Sequence, residues 1–186
     1  MRVISGTCRG RKLTAPVGVT TRPTSDRVKE ALFNILESRL DFTDLQVLDI
    51  CAGTGSLGIE ALSRGARSCC FIENNPSVKV ILEKNLLVTR CQDRSEVILM
   101  DAVKGLQLLA GRNRRFNLVF FDPPYESGLY QRIFEILNST TLLSPDAILV
   151  AECSARVQLP ESCGSLHRFD RRVYGETAIE LFTQGE

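Results

Sequence analysis

Histidine is nearly absent from this chain, and its seven cysteines include no Cys-x-x-Cys pair. A lone histidine, His167, is typical of a surface or hydrogen-bonded core position, so we expect neither a histidine-based metal site nor a catalytic triad. The odd number and scattered spacing of the cysteines argue against a disulfide framework and against zinc. We therefore expect no metal, and we expect most cysteines to be reduced and buried.

Long apolar runs are also missing, since none approaches the about 18 residues that indicate a membrane span. The first residues, 1–6, carry no apolar signal-peptide core, so we expect a cytoplasmic protein without membrane contact. Hydrophobic residues make up 44% of the 186 residues and charged residues 24%, which is typical of a globular protein with a buried core. The length predicts one domain, or one domain with a small appendage, and we expect a monomer.

Charge is distributed unevenly along the chain, although the net charge is +1. Residues 1–39 contain eight Lys/Arg and three Asp/Glu, whereas residues 40–186 contain fifteen and nineteen. Residues 2–21 read as two short strands around glycines, with Arg9, Arg11 and Lys12 near the turn. We predict a basic hairpin arm, residues 1–21, that lies along a phosphate backbone, followed by a domain over 22–186. The alternative is a solvated polar arm.

The rest of the chain alternates between strand and helix patterns. Predicted strands cover 45–50, 68–73, 96–100, 117–122 and 147–152, and predicted helices cover 56–64, 76–89, 102–110 and 129–137. A tail over 168–183 reads as an antiparallel hairpin. The pattern predicts an α/β fold with a mostly parallel twisted sheet, helices on both faces and the hairpin at one edge. Ligands of such sheets bind beyond the carboxyl ends of the strands.

A glycine-rich loop follows the first predicted strand. Gly53, Gly55 and Gly58 have the G-x-G-x-x-G spacing, which by itself would equally suggest a dinucleotide such as NAD. Asp49 separates the two possibilities, because a carboxylate about 4 Å from a phosphate would cost about 4 kcal/mol at an effective dielectric near 20. S-adenosylmethionine carries a positive sulfonium and a positive amino group instead, so Asp49 favours the methyl donor.

Three later strand ends also carry an acid. Glu73 can accept both ribose hydroxyls, and Asp101 can accept the adenine amino group while the Ala102 amide donates to the ring. The structural alternatives are an exposed strand-end carboxylate for Glu73 and a helix N-cap for Asp101. Asp122 ends the fourth strand. Because the carboxyl ends of parallel strands meet at one edge, we expect these acids to lie together.

The segment Asp122-Pro123-Pro124-Tyr125 predicts a stiff turn at the end of a buried strand. Asp122 and the carbonyl of Pro123 can each accept one N–H of an exocyclic amine, which leaves its lone pair free to face a methyl group. Tyr125 would stack on the base. Such a site works by proximity and orientation. The alternative is an ordinary capped turn with Tyr125 in the core.

These motifs resemble those of the class I amino-methyltransferases. The stretches 2–6, 9–13 and 22–33, together with Tyr174-Gly175-Glu176-Thr177, are similar to the bacterial 16S rRNA guanine-N2 methyltransferase family RsmD over essentially the whole chain. The resemblance implies a Rossmann-like fold with a seven-stranded sheet, and methylation of N2 of one guanine in 16S rRNA or the small subunit by S-adenosylmethionine. It implies the following donor-binding residues: Gly53, Gly55, Glu73, Asn74, Asp101 and Ala102, with Arg22 and Thr24 near the donor carboxylate. It implies that the guanine is bound by Asp122, Pro123 and Tyr125.

Other functions stay open. A DNA adenine methylase can carry Asp-Pro-Pro-Tyr, but only 61 residues follow Tyr125, too few for the sheet and a target-recognition domain. Bases in RNA loops are already unstacked, which favours RNA for a small enzyme. In a protein glutamine methyltransferase the corresponding turn usually starts with Asn, whereas this chain has Asp122. Methylation of adenine N6 or of another rRNA guanine, and a non-catalytic RNA-binding ribosome assembly factor, are the remaining alternatives.

Overall fold

Eight strands form one sheet in the computed structural model, which describes residues 1–16, 26–124 and 128–184. The strands are β1 (Gln46–Ile50), β2 (Ser68–Glu73), β3 (Ser95–Leu99), β4 (Phe116–Phe121), β5 (Leu143–Ser154), β6 (Ser162–Cys163), β7 (Leu166–Tyr174) and β8 (Thr177–Gln184). The α-helices are α1 (Asp26–Glu37), α2 (Ser56–Ser63), α3 (Pro76–Thr89), α4 (Ala102–Gly111) and α5 (Leu129–Ser139). Every described helix is too short or too polar to cross a bilayer.

The strand order is β3-β2-β1-β4-β5-β8-β7-β6. Strands β1 to β5 are mutually parallel, whereas β8 pairs antiparallel with β5 and β7 antiparallel with β8. The predicted mostly parallel sheet with a C-terminal hairpin is confirmed, and the two-residue β6 adds an eighth strand. The chain builds outward from β1 in one direction and then returns to place β4 on its other side. The crevice beyond β1 and β4 is where such folds bind ligands.

Apolar side chains of the central strands are buried on both faces of the sheet. On β4, Leu118 and Phe120 pack in one core cluster, while Val119 and Phe121 pack in the other. The first cluster includes residues of α1, α2 and α3, and the second includes residues of α4 and α5. Strand side chains alternate between faces, so an uninterrupted apolar run such as residues 118–121 requires cover on both sides.

Strand β5 begins earlier than predicted, at Leu143 rather than at residue 147. Leu143 pairs with Phe116, and after an irregularity Ile148 pairs with Leu118. Pro145 lies in the irregular stretch, where the missing N–H of proline does not break a regular ladder. Because proline is disfavoured within strands, the sequence pattern does not predict the first part of β5.

The described part of the arm, residues 1–16, packs onto the body of the protein. An antiparallel bridge joins Arg2 and Lys12, and the amide of Val3 donates to the carbonyl of Arg11 at 3.0 Å. A 3-10 turn, Gly6–Cys8, occupies the middle, so the pairing is a single bridge rather than two extended strands. Val3 and Leu13 are buried in the core cluster that also contains α1 and α2. The predicted end of the arm lies outside the described residues, which omit 17–25.

Candidate functional site

The loop between β1 and α2 is held in a conformation that suits glycine. Gly53 and Gly55 have φ values of +54° and +76°. A Cβ on Gly55 would lie 2.2 Å from Leu82 Cδ1, so a side chain at this position would have to displace Leu82 of α3 as well as adopt a positive φ. The amide of Ala52 donates to the carbonyl of Ile72 at 3.0 Å, which fixes the loop against the end of β2.

Glu73 ends β2 and is buried at the edge of this loop. One carboxylate oxygen accepts from the Gly53 amide and the other from the Asn75 amide, each at 2.8 Å. A carboxylate has about four lone-pair positions, so Glu73 retains acceptors for ligand hydroxyls. Asn74 beside it is exposed. Glu73 is therefore a buried anchor of the glycine loop, which rules out an exposed strand-end carboxylate.

Asp49 lies in β1 beneath the start of α2. Its Oδ2 accepts from the amide of Gly58 at 3.0 Å. Burial raises the pKa of Asp49 to about 8, the Gly58 hydrogen bond opposes this, and the charge of Glu73 adds to it. A Cβ on Gly58 would lie 2.4 Å from Phe71 Cε1, so this third glycine lets α2 approach the sheet.

Asp122 follows β4 directly, and its amide donates to the carbonyl of Ile50 at 3.4 Å. Burial raises the pKa of the Asp122 carboxyl well above its usual value, and the charges of Glu152 and Asp49 raise it further. Pro123 is buried beside it, whereas Tyr125 lies outside the described residues.

Glu152 is an acid that the sequence analysis did not include among the site residues. It lies near the end of β5, is buried, and its backbone carbonyl accepts from the Tyr130 hydroxyl at 2.8 Å. The signal was present, because Glu152 ends the predicted strand 147–152 as the other acids end theirs. We call the edge that carries these five acids the acidic edge: Asp49, Glu73, Asp101, Asp122 and Glu152.

Asp101 is the N-cap of α4, and its Oδ1 accepts from the Lys104 amide at 3.0 Å. This hydrogen bond lowers the pKa of Asp101, and the carboxylate is half exposed. Ala102 is buried as the first residue of α4. The N-cap alternative is therefore realised, and a role toward adenine stays a prediction.

Three of the acids lie around the glycine loop, because Glu73 and Asp49 accept from the amides of Gly53 and Gly58 and the Asp122 amide donates to the carbonyl of Ile50. Burial, followed by the charges of Glu73, Asp122 and Asp49, raises the pKa of the Cys51 thiol to about 12. Negative charges that raise each other's pKa values are relieved by a positive ligand. The cluster therefore fits the sulfonium and amino charges of S-adenosylmethionine better than it fits a pyrophosphate. Among the described residues, no group of His, Cys, Asp or Glu side chains is arranged to hold a metal ion.

The other predicted site residues do not meet at this point. Arg9 and Lys12 are exposed on the arm, and the Arg11 guanidinium donates to the carbonyl of Val88 at the end of α3. Arg22 and Thr24 lie outside the described residues. The structure thus places the predicted RNA contacts on the arm, next to α3, and the acids at the ends of the strands.

Asp49 predicts how stability depends on pH. Its pKa is about 8 in the folded protein and about 3.9 in an unfolded chain. The folded state binds this proton more tightly, so the stabilisation is complete below about pH 4 and is lost as pH rises to about 8. We expect urea unfolding of the ligand-free protein between pH 5.5 and 8.5 to show stability falling with pH, and falling less in Asp49→Asn. Asp122 also has a raised pKa, so part of the pH dependence should remain in Asp49→Asn. Equal slopes of stability against pH in the two proteins would contradict a contribution from Asp49.

Known proteins share this architecture. The family model described as conserved hypothetical protein 95 matches residues 1–183. Ribosomal RNA small subunit methyltransferase D of Escherichia coli strain K12 is 37% identical, over 100% of this chain and 92% of its own. The solved structure of the Escherichia coli protein yhhF is 34% identical with a TM-score of 0.85, and the match covers 99% of this chain and 97% of that one.

A more distant structure shares the fold. SMU.776, crystallised in complex with SAH, is 13% identical with a TM-score of 0.69, and the match covers 84% of this chain and 48% of that chain. At this identity the likeness shows a shared α/β fold and no more.

Proposed function

This chain belongs to the RsmD family, and from that premise we propose that it methylates the exocyclic N2 of one guanine in 16S rRNA. In coarser terms it is an rRNA methyltransferase that uses S-adenosylmethionine. The observation that carries the proposal is the position of Asp49, Glu73 and Asp122 around the glycine loop, where hydrogen bonds join them to Gly58, Gly53 and Ile50. We also propose that it acts as a monomer in the cytoplasm on rRNA or the small subunit.

The donor-binding part of the proposal uses the glycine loop and β2. S-adenosylmethionine, when bound, supplies an electrophilic methyl group on a positively charged sulfur. Glu73, already fixed by two backbone amides, offers its remaining lone pairs to the ribose hydroxyls. Asp101 and the Ala102 amide bind the adenine, and Asn74 borders the pocket. Arg22 and Thr24 hold the donor carboxylate.

The base-binding part uses the turn after β4. Asp122 and the Pro123 carbonyl each accept one N–H from the guanine amino group, and Tyr125 stacks on the ring. Held in this way, N2 faces the methyl group, so the rate gain is one of orientation. As N2 gains the methyl group it loses a proton. In its ionised form, a partly buried carboxylate with a raised pKa, such as Asp122, accepts this proton more readily than a fully exposed one would.

The arm supplies RNA affinity in this proposal. Replacing Arg9, Arg11 and Lys12 together with alanine should weaken RNA binding and flatten its dependence on salt. The slope of log K against log salt is negative, and each lost phosphate contact reduces its magnitude by about 0.7 to 0.9, so three lost contacts predict a reduction of about 2 to 3. Fluorescence anisotropy with labelled rRNA at several salt concentrations measures the slope.

The matched control removes three exposed arginines elsewhere: Arg115, Arg132 and Arg156. It has the same change in net charge, so an effect of overall charge would appear in both variants. An unchanged slope in the arm variant, or equal changes in the two, would refute the arm as the RNA contact.

Mass mapping of modified bases in rRNA tests the proposed reaction. Deleting the gene should remove one N2-methylguanine from 16S rRNA, and restoring the gene should restore it. Loss of an N6-methyladenine would favour the adenine alternative. An unchanged modification profile with altered subunit assembly would favour the non-catalytic assembly factor and overturn the proposal. In vitro transfer to naked rRNA and to subunits from the deletion strain separates the two substrates.

A further inference from the structure

Asn85 is a buried amide of α3 that hydrogen-bonds two separate segments of the chain. Its Oδ1 accepts from the amide of Thr14 at 2.8 Å, and its Nδ2 donates to the carbonyl of Thr14 at 3.0 Å. The same Nδ2 also donates to the carbonyl of Thr54 at 3.0 Å. Thr14 belongs to the arm and Thr54 to the glycine loop, so one side chain joins the two.

Neighbouring contacts place the basic part of the arm on the same helix. The Arg11 guanidinium donates to the carbonyl of Val88, one turn after Asn85. The hydroxyl of Thr54 also contacts the sulfur of Met1 at 3.7 Å, so the arm reaches the loop directly as well. Displacement of the arm would therefore break the two hydrogen bonds between Asn85 and Thr14 and the contact between Met1 and the Thr54 hydroxyl, so it would loosen the amide that holds the Thr54 carbonyl.

The alternative is that Asn85 has a purely structural role. Buried backbone groups need partners, and a side-chain amide with one acceptor and two donors satisfies three of them. That reading explains a loss of stability on mutation. It predicts no link between what binds at the arm and what binds at the loop.

We propose that Asn85 is a positioning residue that couples RNA binding at the arm to donor binding at the glycine loop. The inference rests on the proposed function, in which the arm contacts RNA and the loop contacts S-adenosylmethionine. A ligand that orders the arm or the loop reduces the conformational entropy cost of binding at the other segment, because both are hydrogen-bonded to the same side-chain amide. Each ligand then raises the affinity for the other by the same factor.

The test measures that factor with S-adenosylhomocysteine as the probe. Calorimetric titration of the wild-type protein, with and without unmodified 16S rRNA, should show the affinity rising at least about fivefold when RNA is present. Asn85→Asp keeps the acceptor toward the Thr14 amide and removes both donors. In this variant we expect RNA to change the affinity for S-adenosylhomocysteine by no more than about twofold. A wild-type factor of one would overturn the proposal.

Ser63→Ala is the matched control. The Ser63 hydroxyl donates to the carbonyl of Ser5 and accepts from the amide of Cys8 at 2.9 Å, so it ties the arm to α2. Within the described part of the chain, no hydrogen bond joins Ser63 to residues 52–55, so the coupling factor should survive. Equal loss of the factor in the two variants would reduce Asn85 to a structural role. Failure of the wild-type protein to bind the probe would instead count against the proposed function.

Amide exchange of the wild-type protein avoids any folding defect of a variant. The Thr14 amide donates to Asn85, so its exchange rate reports this hydrogen bond. Adding S-adenosylhomocysteine should slow exchange at Thr14 severalfold, although the probe binds at the loop. An unchanged rate at Thr14 with slowed exchange at Gly53 would overturn the coupling and leave donor binding intact.

Discussion

Replacing Asp122 with asparagine should lower the rate of methyl transfer about 10²–10³-fold, as removing one preorganised polar partner of a reacting group does. The substitution keeps the shape of the side chain, but one carboxylate oxygen becomes an NH₂ that cannot accept from N2 or take its proton. Asp122 follows a strand in which every residue except Asn117 is buried, and its amide donates to the carbonyl of Ile50, so its backbone is held in place. Single-turnover transfer of labelled methyl groups to rRNA measures the rate.

The affinity for S-adenosylhomocysteine should stay within a fewfold of wild type in Asp122→Asn, because the substitution removes the proposed acceptor for the base and leaves Glu73, the proposed ribose acceptor, unchanged. Asp101→Asn is the contrasting variant on the same acidic edge. As a proposed adenine contact it should weaken donor affinity and leave kcat at saturating donor close to wild type. Near-normal transfer by Asp122→Asn would show that Asp122 does not position the amine.

Replacing Glu60 with alanine should destabilise the fold by about 3–5 kcal/mol, the usual cost of breaking a buried ion pair from one side. Glu60 is fully buried and accepts from the amides of Ile4 and Ser5 at 2.8 and 2.9 Å. It also pairs with Lys29 Nζ at 3.4 Å and Arg64 Nε at 3.0 Å. Its removal leaves two cations and two N–H groups without this acceptor. Urea unfolding at constant pH measures the loss.

Burial lowers the pKa of Lys29, and the charge of Glu60 opposes that decrease. Without Glu60 the pKa of Lys29 should fall further, so the destabilisation should be smaller at high pH, where the amine is neutral. Glu83→Ala is the control, since Glu83 pairs with Lys79 on the surface of α3. An exposed helical pair is worth about 0.3–0.5 kcal/mol. A loss in Glu60→Ala as small as in the control would show that the buried pair does not hold the arm.

Much of the fold was predictable because its signals are local. Apolar runs and helical spacing lie within single elements, and β2 (Ser68–Glu73) and α3 (Pro76–Thr89) have the predicted bounds. Strand β5 shows the limit of such reasoning. Its first residues surround Pro145, and their pairing with β4 depends on a bulge that no local pattern predicts.

The site, like the fold, has features that were predictable from the sequence and features that were not. Asp49, Glu73 and Asp122 were predictable, because acids at the ends of parallel strands must share an edge whatever the details of packing. Their electrostatic effects were not, since the raised pKa values of Asp49 and Asp122 depend on burial and on the distance between charges. Glu152 carried the same local signal, since it ends the predicted strand 147–152, but its effect on the pKa of Asp122 was not predictable.

By itself, then, the sequence determined the order of the elements, the edge at which the acids lie and the family to which the chain belongs. Only the tertiary structure decided which residues hold the arm against the body. Glu60 meets the amide of Ile4 across 56 positions, and Asn85 meets Thr14 across 71. Such pairings follow from how α2 and α3 pack on the sheet, because a buried polar group takes whatever partner the folded chain brings within hydrogen-bonding distance.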